Sequence, residues 1–110
     1  MRITVDQTDD STMLRLEGRL DASTSNDVGK SLQATLQQGV SRLLLDMTEV
    51  AYVSSAGLRV ILMAAKTSKA SAAGFAIFGL QSAVREVFDV SGFSKILVIE
   101  DDFATARARL

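Results

Sequence analysis

The sequence predicts an α/β fold: a mixed, mostly parallel sheet covered by helices, with elements in the order ββαβαβαβα. Three observations carry that prediction. Residues 43–45 (Leu-Leu-Leu) and 75–78 (Phe-Ala-Ile-Phe) are short apolar runs without alternation, the pattern of strands buried on both faces, as in a parallel sheet. Between them Leu58, Ile61, Leu62 and Ala65 recur at i, i+3, i+4 and i+7, the spacing of a helix with one apolar face. From the second strand onward such strands and helices alternate, which calls for crossover connections in one sheet. The 110 residues are read as a single domain, 1–110, long enough to bury roughly two-thirds of the unfolded surface.

Taken in order, residues 3–5 are short and β-prone, and residues 7–11 form a polar turn with Asp9 and Asp10 at its tip. Residues 12–20 alternate: Leu14, Leu16, Gly18 and Leu20 point one way, Met13, Arg15, Glu17 and Arg19 the other. That is a half-buried strand, hairpin-paired with the first. Residues 21–27 (DASTSND) are rich in helix-capping types, and Thr24 with Asp27 resembles a capping box. The helix that follows carries Val28, Leu32 and Leu36 on one stripe and ends near Gly39. The central strand covers residues 43–45 and stops at Asp46, a polar break follows, and residues 50–53 lead to Ser54 and Ser55. A helix beginning near Ala56 is expected to run to a small, polar stretch at 68–73 and to end at Gly74. After the strand at 75–78 comes a helix with Val84, Val87 and Phe88 on its stripe, stopped by Gly92. A last strand at 95–99 and a helix bearing Phe103, Ala106 and Leu110 complete the chain.

Composition removes several classes of function. Twelve basic residues against 13 acidic ones give a net charge of −1, which argues against nucleic acid or an anionic membrane as partner. No apolar run approaches the roughly 18 residues of a membrane span, and the first residues, MRITVDQTDD, contain no hydrophobic secretory core; a cytoplasmic location is expected. Cys and His are both absent, so disulfides, thiol chemistry, imidazole bases and the usual zinc ligands are excluded. Neither GxGxxG nor GxxxxGK[ST] occurs. No metal or cofactor is called for.

The chemistry that remains gathers at Ser54 and Ser55, before the helix. The first N–H groups of a helix lack intrahelical partners and carry partial positive charge, so an anion there is stabilised. The pair reads either as a plain helix cap, worth about 1 kcal/mol, or as a switch. Gly57 would let another backbone, or a bulky enzyme, approach closely. A serine hydrolase is disfavoured because no His exists to act as base, and Lys66 and Lys69 lie turns away. With Leu58, Ile61, Leu62 and Ala65 facing the core, Arg59, Met63 and Lys66 fall elsewhere, with Val60 and Ala64 beside them. An exposed Met and Val flanked by Arg59 make an adaptable contact surface, unless the helix is buried on most sides. Asp46 resembles the phosphoacceptor of a receiver domain only superficially, since a receiver needs a helix where this chain has a short turn. It is expected to end the strand and bond local backbone, and Asp21 to act as a loop or cap carboxylate.

GRLDASTS (18–25) followed by LLLDMTEVAYVSSAGLRVIL (43–62) resembles a STAS domain of the bacterial anti-sigma-factor antagonist type, over essentially the whole chain. The resemblance implies a cytoplasmic partner-switching protein. Its partner, when it is unphosphorylated, is an anti-sigma factor that is also a serine kinase with a histidine-kinase-like ATP-binding fold. Phosphorylation at the start of the helix ends the complex, and a metal-dependent serine phosphatase reverses the mark. The family's Asp-Ser-Ser/Thr-Gly motif falls on Ser54, Ser55, Ala56 and Gly57; Ser54 replaces the Asp and Ala56 a usual acceptor position. The resemblance therefore implies Ser55 as acceptor, with Ser54 second. It implies a partner surface of Asp21, Ser23, Ser54, Ser55, Ala56, Gly57, Arg59, Val60 and Met63. An alternative is a non-switching STAS scaffold in a transport or lipid-trafficking assembly.

Overall fold

The computed structural model of the protein describes residues 1–8 and 10–110; Asp9, half of the expected turn tip, lies outside the described residues. Two strands, β1 (Arg2–Gln7) and β2 (Thr12–Leu20), form an antiparallel hairpin. Then follow α1 (Ser25–Gln37), β3 (Arg42–Val53), α2 (Ser55–Ala70), β4 (Gly74–Phe78), α3 (Ser82–Val90), a 3₁₀ turn (Phe93–Lys95), β5 (Val98–Glu100) and α4 (Phe103–Ala108). The sheet order is β1-β2-β3-β4-β5, with β2 to β5 mutually parallel. The expected ββαβαβαβα architecture is the observed one.

The alternation in β2 holds at Leu14, Leu16 and Leu20, which are fully buried, with Leu14 opposite Leu45 of β3; Gly18, expected on the same face, is exposed where the pairing with β3 slips. Odd-numbered positions of the central strands (Leu43, Leu45, Met47, Phe75, Ile77) join Val28, Leu32 and Leu36 of α1, Leu58, Ile61 and Ala64 of α2, and Val84 and Phe88 of α3 in one core. Each such fully buried aliphatic side chain contributes about 1.5–3 kcal/mol. Even-numbered positions (Leu44, Ala76, Phe78) turn to the other face, where they meet Phe103, Ala106 and Leu110 of α4 and its flank. The rings of Phe78 and Phe103 meet edge to face, centroids 5.9 Å apart. Burial on both faces is why these runs show no alternation.

Several boundaries differ from expectation. β3 does not stop at Asp46 but continues to Val53, taking up an extra residue relative to β2 between Asp46 and Glu49 and again between Val50 and Tyr52. Asp46 sits in mid-strand, 2% exposed, paired with Arg15 at 3.0 Å on the neighbouring strand and accepting from the Thr48 N–H (2.9 Å) and hydroxyl (2.7 Å). It bonds local backbone as expected without ending the strand. α2 runs on to Ala70, and its end is turned by Ala72 (φ 58), leaving Gly74 as the first residue of β4. Ala64, expected at the edge of the helix face, is fully buried, whereas Leu62 and Ala65 are half-buried. The last strand starts at Val98 rather than at residue 95, because the Ile96 and Leu97 N–H groups bond back to the Phe93 carbonyl and are lost to the ladder.

Candidate functional site

The β2–β3 register ends with Leu20 opposite Val53. This brings the two segments singled out in the sequence, 18–25 and 54–57, to the same end of the sheet. The Ser54 N–H donates to the Leu20 carbonyl at 2.9 Å, fastening the start of α2 to the end of β2. Gly57 is buried. A Cβ there would lie 2.7 Å from Leu20 Cγ, 3.0 Å from the Leu20 carbonyl oxygen and 3.1 Å from Val53 Cγ2. The close approach permitted by its missing side chain is therefore to the protein's own β2 and β3.

The two serines have different work. Ser54 is the N-cap, extended at φ −96 and ψ 174, and its Oγ accepts from the Gly57 N–H at 3.2 Å. Ser55 is the first residue of α2 and its side chain is exposed. No carboxylate lies in the first turn, so the partial positive charge of the helix start is left uncompensated.

Beside this pair the loop before α1 is tightly bonded. Asp21 Oδ1 accepts from the Ser23 N–H (3.0 Å), the Ser23 hydroxyl (2.7 Å) and the Thr24 N–H (3.2 Å). These bonds, the Ser23 hydroxyl foremost, hold the Asp21 carboxyl below its ordinary value of 3.8. The capping box expected of Thr24 and Asp27 is absent. Thr24 is the N-cap of α1 but gives it no side-chain bond, because its hydroxyl is spent on the loop, donating to the Arg19 carbonyl (2.7 Å) and accepting from the Asp21 N–H (2.9 Å). The Arg19 guanidinium stacks 4.2 Å from the centre of the half-exposed Tyr52 ring and approaches Asp21 at 3.8 Å.

The remaining predicted residues lie along α2. Arg59 is exposed, Met63 is 53% exposed, and Val60 is half-buried against Gly29 of α1. Val60 and Met63 line an apolar groove with Asn26, Gly29, Lys30 and Gln33 of α1. Ser55 opens on the other side of α2, into a groove shared with Leu58 of α2 and Glu86, Val87 and Val90 of α3. Sequence reasoning missed this α3 wall. Its signal was Val90, an apolar residue off the Val84/Phe88 stripe, now 83% exposed. Among the described residues no cluster of three or more His, Cys, Asp or Glu side chains is arranged to hold a metal ion, and no helix is long and apolar enough to cross a membrane.

Comparison with known proteins gives a consistent picture. The STAS domain family matches residues 2–106. A Bordetella bronchiseptica protein named as the anti-sigma factor antagonist BtrV is 32% identical over 108 residues, covering 98% of this chain and 93% of its own. Among solved structures, a Thermotoga maritima protein described as an anti-sigma factor antagonist superimposes with a TM-score of 0.92 at 21% identity, covering 97% of this chain and 92% of the other. The antagonist SpoIIAA in its unphosphorylated form gives 0.82 at 20% identity (98% and 96% covered). The Bacillus SpoIIAA in its phosphorylated form gives 0.75 at 19% (98% and 98%).

Proposed function

The chain belongs to the STAS-domain family of anti-sigma-factor antagonists, and from that premise we propose that it is a cytoplasmic partner-switching regulator, not an enzyme. Unphosphorylated, it binds an anti-sigma factor that is also a serine kinase with a histidine-kinase-like ATP-binding fold. Phosphorylation of Ser55 releases it, and a metal-dependent serine phosphatase restores it. The binding face comprises Asp21, Ser23, Ser54, Ser55 and Ala56 with Arg59, Val60 and Met63, and Gly57 seats the first turn beneath them.

The observation that carries this reading is the division of labour at the helix start. Ser54 Oγ already accepts the Gly57 N–H, while the Ser55 side chain is exposed one residue on, which favours Ser55 as acceptor and makes Ser54 the second choice. A phosphoryl group brings about −1.5 to −2 charges and three strong acceptors, and a helix start accommodates them without refolding. The effect then falls on the partner, through bulk and desolvation at the face. Structures with and without the phosphate are expected to superimpose.

Intact mass of the protein purified from its own cells, with fragmentation to locate the group, tests the proposal. Phosphate on Ser55, lost in Ser55→Ala, is the expected result. Phosphate on Ser54 keeps the mechanism and moves the residue. No phosphate under any growth condition, with phosphatase inhibited, refutes the switch in favour of a non-switching scaffold.

A further inference from the structure

The groove into which Ser55 opens has a volume of about 450 Å³, with an apolar floor of Leu58 and Val87 and the exposed Val90 and Ser91 at its rim. Its two walls are oppositely polarised. The α2 wall is a helix start with no carboxylate in its first turn. The α3 wall is the end of a helix with no basic residue in its last turn, so the negative end of its dipole has no compensating cation there, although Ser91 and Gly92 cap the Val87, Phe88 and Asp89 carbonyls. Glu86 adds a full negative charge and is the one charged residue lining the groove; Asp89, also exposed, lies one turn from it. Glu86 and Val90 are four residues apart and share a face of α3. Of the nearby cations, Arg85 pairs with Asp101 at 3.6 Å, and the exposed Arg59, four residues beyond Ser55 on the same face of α2, lies outside the lining.

We propose that α3 reads the switch: a phosphoryl group on Ser55 acts against Glu86 across this groove, and the repulsion alters the charge and the Glu86 side-chain position beside Val90 while the backbone stays in place. This rests on Ser55 as the phosphorylated residue, and goes beyond it by naming the second element through which the charge is sensed. The α1 side of α2, where Val60 and Met63 lie, is not the responding side. The helix start favours the dianion and Glu86 opposes it, so the phosphate's second ionisation reports the balance directly.

The test uses the full chain with phosphoserine installed at position 55 during translation, so no kinase is needed. The phosphate is titrated by phosphorus NMR in the wild-type background and with Glu86→Gln, and backbone amide spectra are compared with the unphosphorylated forms. Phosphoserine titrates near pH 6. Removing the Glu86 charge is expected to raise its second acid constant about two- to fivefold, the scale of one charge acting across a solvated groove. Phosphorylation is also expected to shift the amides of residues 86–91 more than those of Val60 and Met63, with the α3 shifts reduced in Glu86→Gln. Identical titrations in the two backgrounds, or amide shifts confined to the first turn of α2 and to α1, would overturn the proposal. Glu86 is exposed, so the substitution is expected to leave the unphosphorylated fold intact, which its denaturation curve checks. A negative result here leaves the cellular phosphorylation of Ser55 untouched, and an unphosphorylated cellular protein leaves this titration readable.

Discussion

Replacing Gly57 with alanine tests how α2 is seated. In an exposed helix that substitution stabilises by about 1 kcal/mol, because alanine loses less backbone freedom on folding. Here the added methyl would meet Leu20 Cγ at 2.7 Å and, less yieldingly, the Leu20 carbonyl oxygen at 3.0 Å. Leu20 cannot retreat easily: it is fully buried, and its carbonyl accepts the Ser54 N–H at 2.9 Å. Overpacking of this kind costs about 1–3 kcal/mol, and contact with backbone argues for the upper part of that range. The net expectation is a loss of about 1–2 kcal/mol, the overpacking cost less the propensity gain. For a chain of this size that is a fall in Tm of about 4–8 °C. Urea and thermal denaturation measure it. A variant as stable as the wild type, or more so, would mean that α2 is not held against β2 as described. Gly79→Ala is the stronger companion. Gly79 adopts φ +77, which disfavours a side chain, and its Cβ would lie 2.2 Å from Thr48 Cγ2; its loss should exceed that of Gly57→Ala.

Three further outcomes are expected. Ser54→Ala removes the cap bond to Gly57 and should lower stability by about 1 kcal/mol, whereas Ser55→Ala should leave the denaturation midpoint nearly unchanged; equal effects would contradict the division of labour between the serines. Asp10, Asp21 and Asp102 are held below the ordinary 3.8 by the Arg107 guanidinium, the Ser23 hydroxyl and the Thr105 N–H respectively. Their stabilisation is complete above that value and is lost as pH falls through the lower folded values, so denaturation midpoints should be flat above pH about 5 and fall below about 4. Leu44→Ala, beneath α4, should cost about 2–4 kcal/mol and speed amide exchange in residues 103–108; unchanged exchange there would mean that α4 does not depend on this face of the sheet.

Much of this was legible because periodicity reports burial. The alternating leucines of β2, the unbroken apolar runs of β3 and β4, and the i, i+4 stripe of α3 each mapped onto the observed cores. Local chemistry was less readable, because a side chain's choice of partner depends on contacts distant in sequence. Asp46 read as a terminator since Arg15, its partner, is 31 residues away. Thr24 read as half of a capping box since its hydroxyl has a competing acceptor at Arg19. At the candidate site the serines and Asp21 stood out as polar residues in tell-tale places. The α3 wall offered only Val90, an apolar residue off its helix's buried stripe, and nothing in one sequence says which helix will lie beside the start of α2.

The spatial order of the strands is their order along the chain, so a growing chain can add each strand to the edge of what has already formed. Parallel sheets usually fold slowly, because distant strands must find one another before any pairing is rewarded; here each strand's partner is the one made just before it. One bond spans far more of the chain: Asp10 receives the Arg107 guanidinium at 2.7 and 2.6 Å across 97 residues, with Arg42 joining at 2.6 Å. That bond can form only once α4 exists. It fastens α4, on the face of the sheet opposite α1, α2 and α3, to the turn before β2, a clasp between segments 97 residues apart.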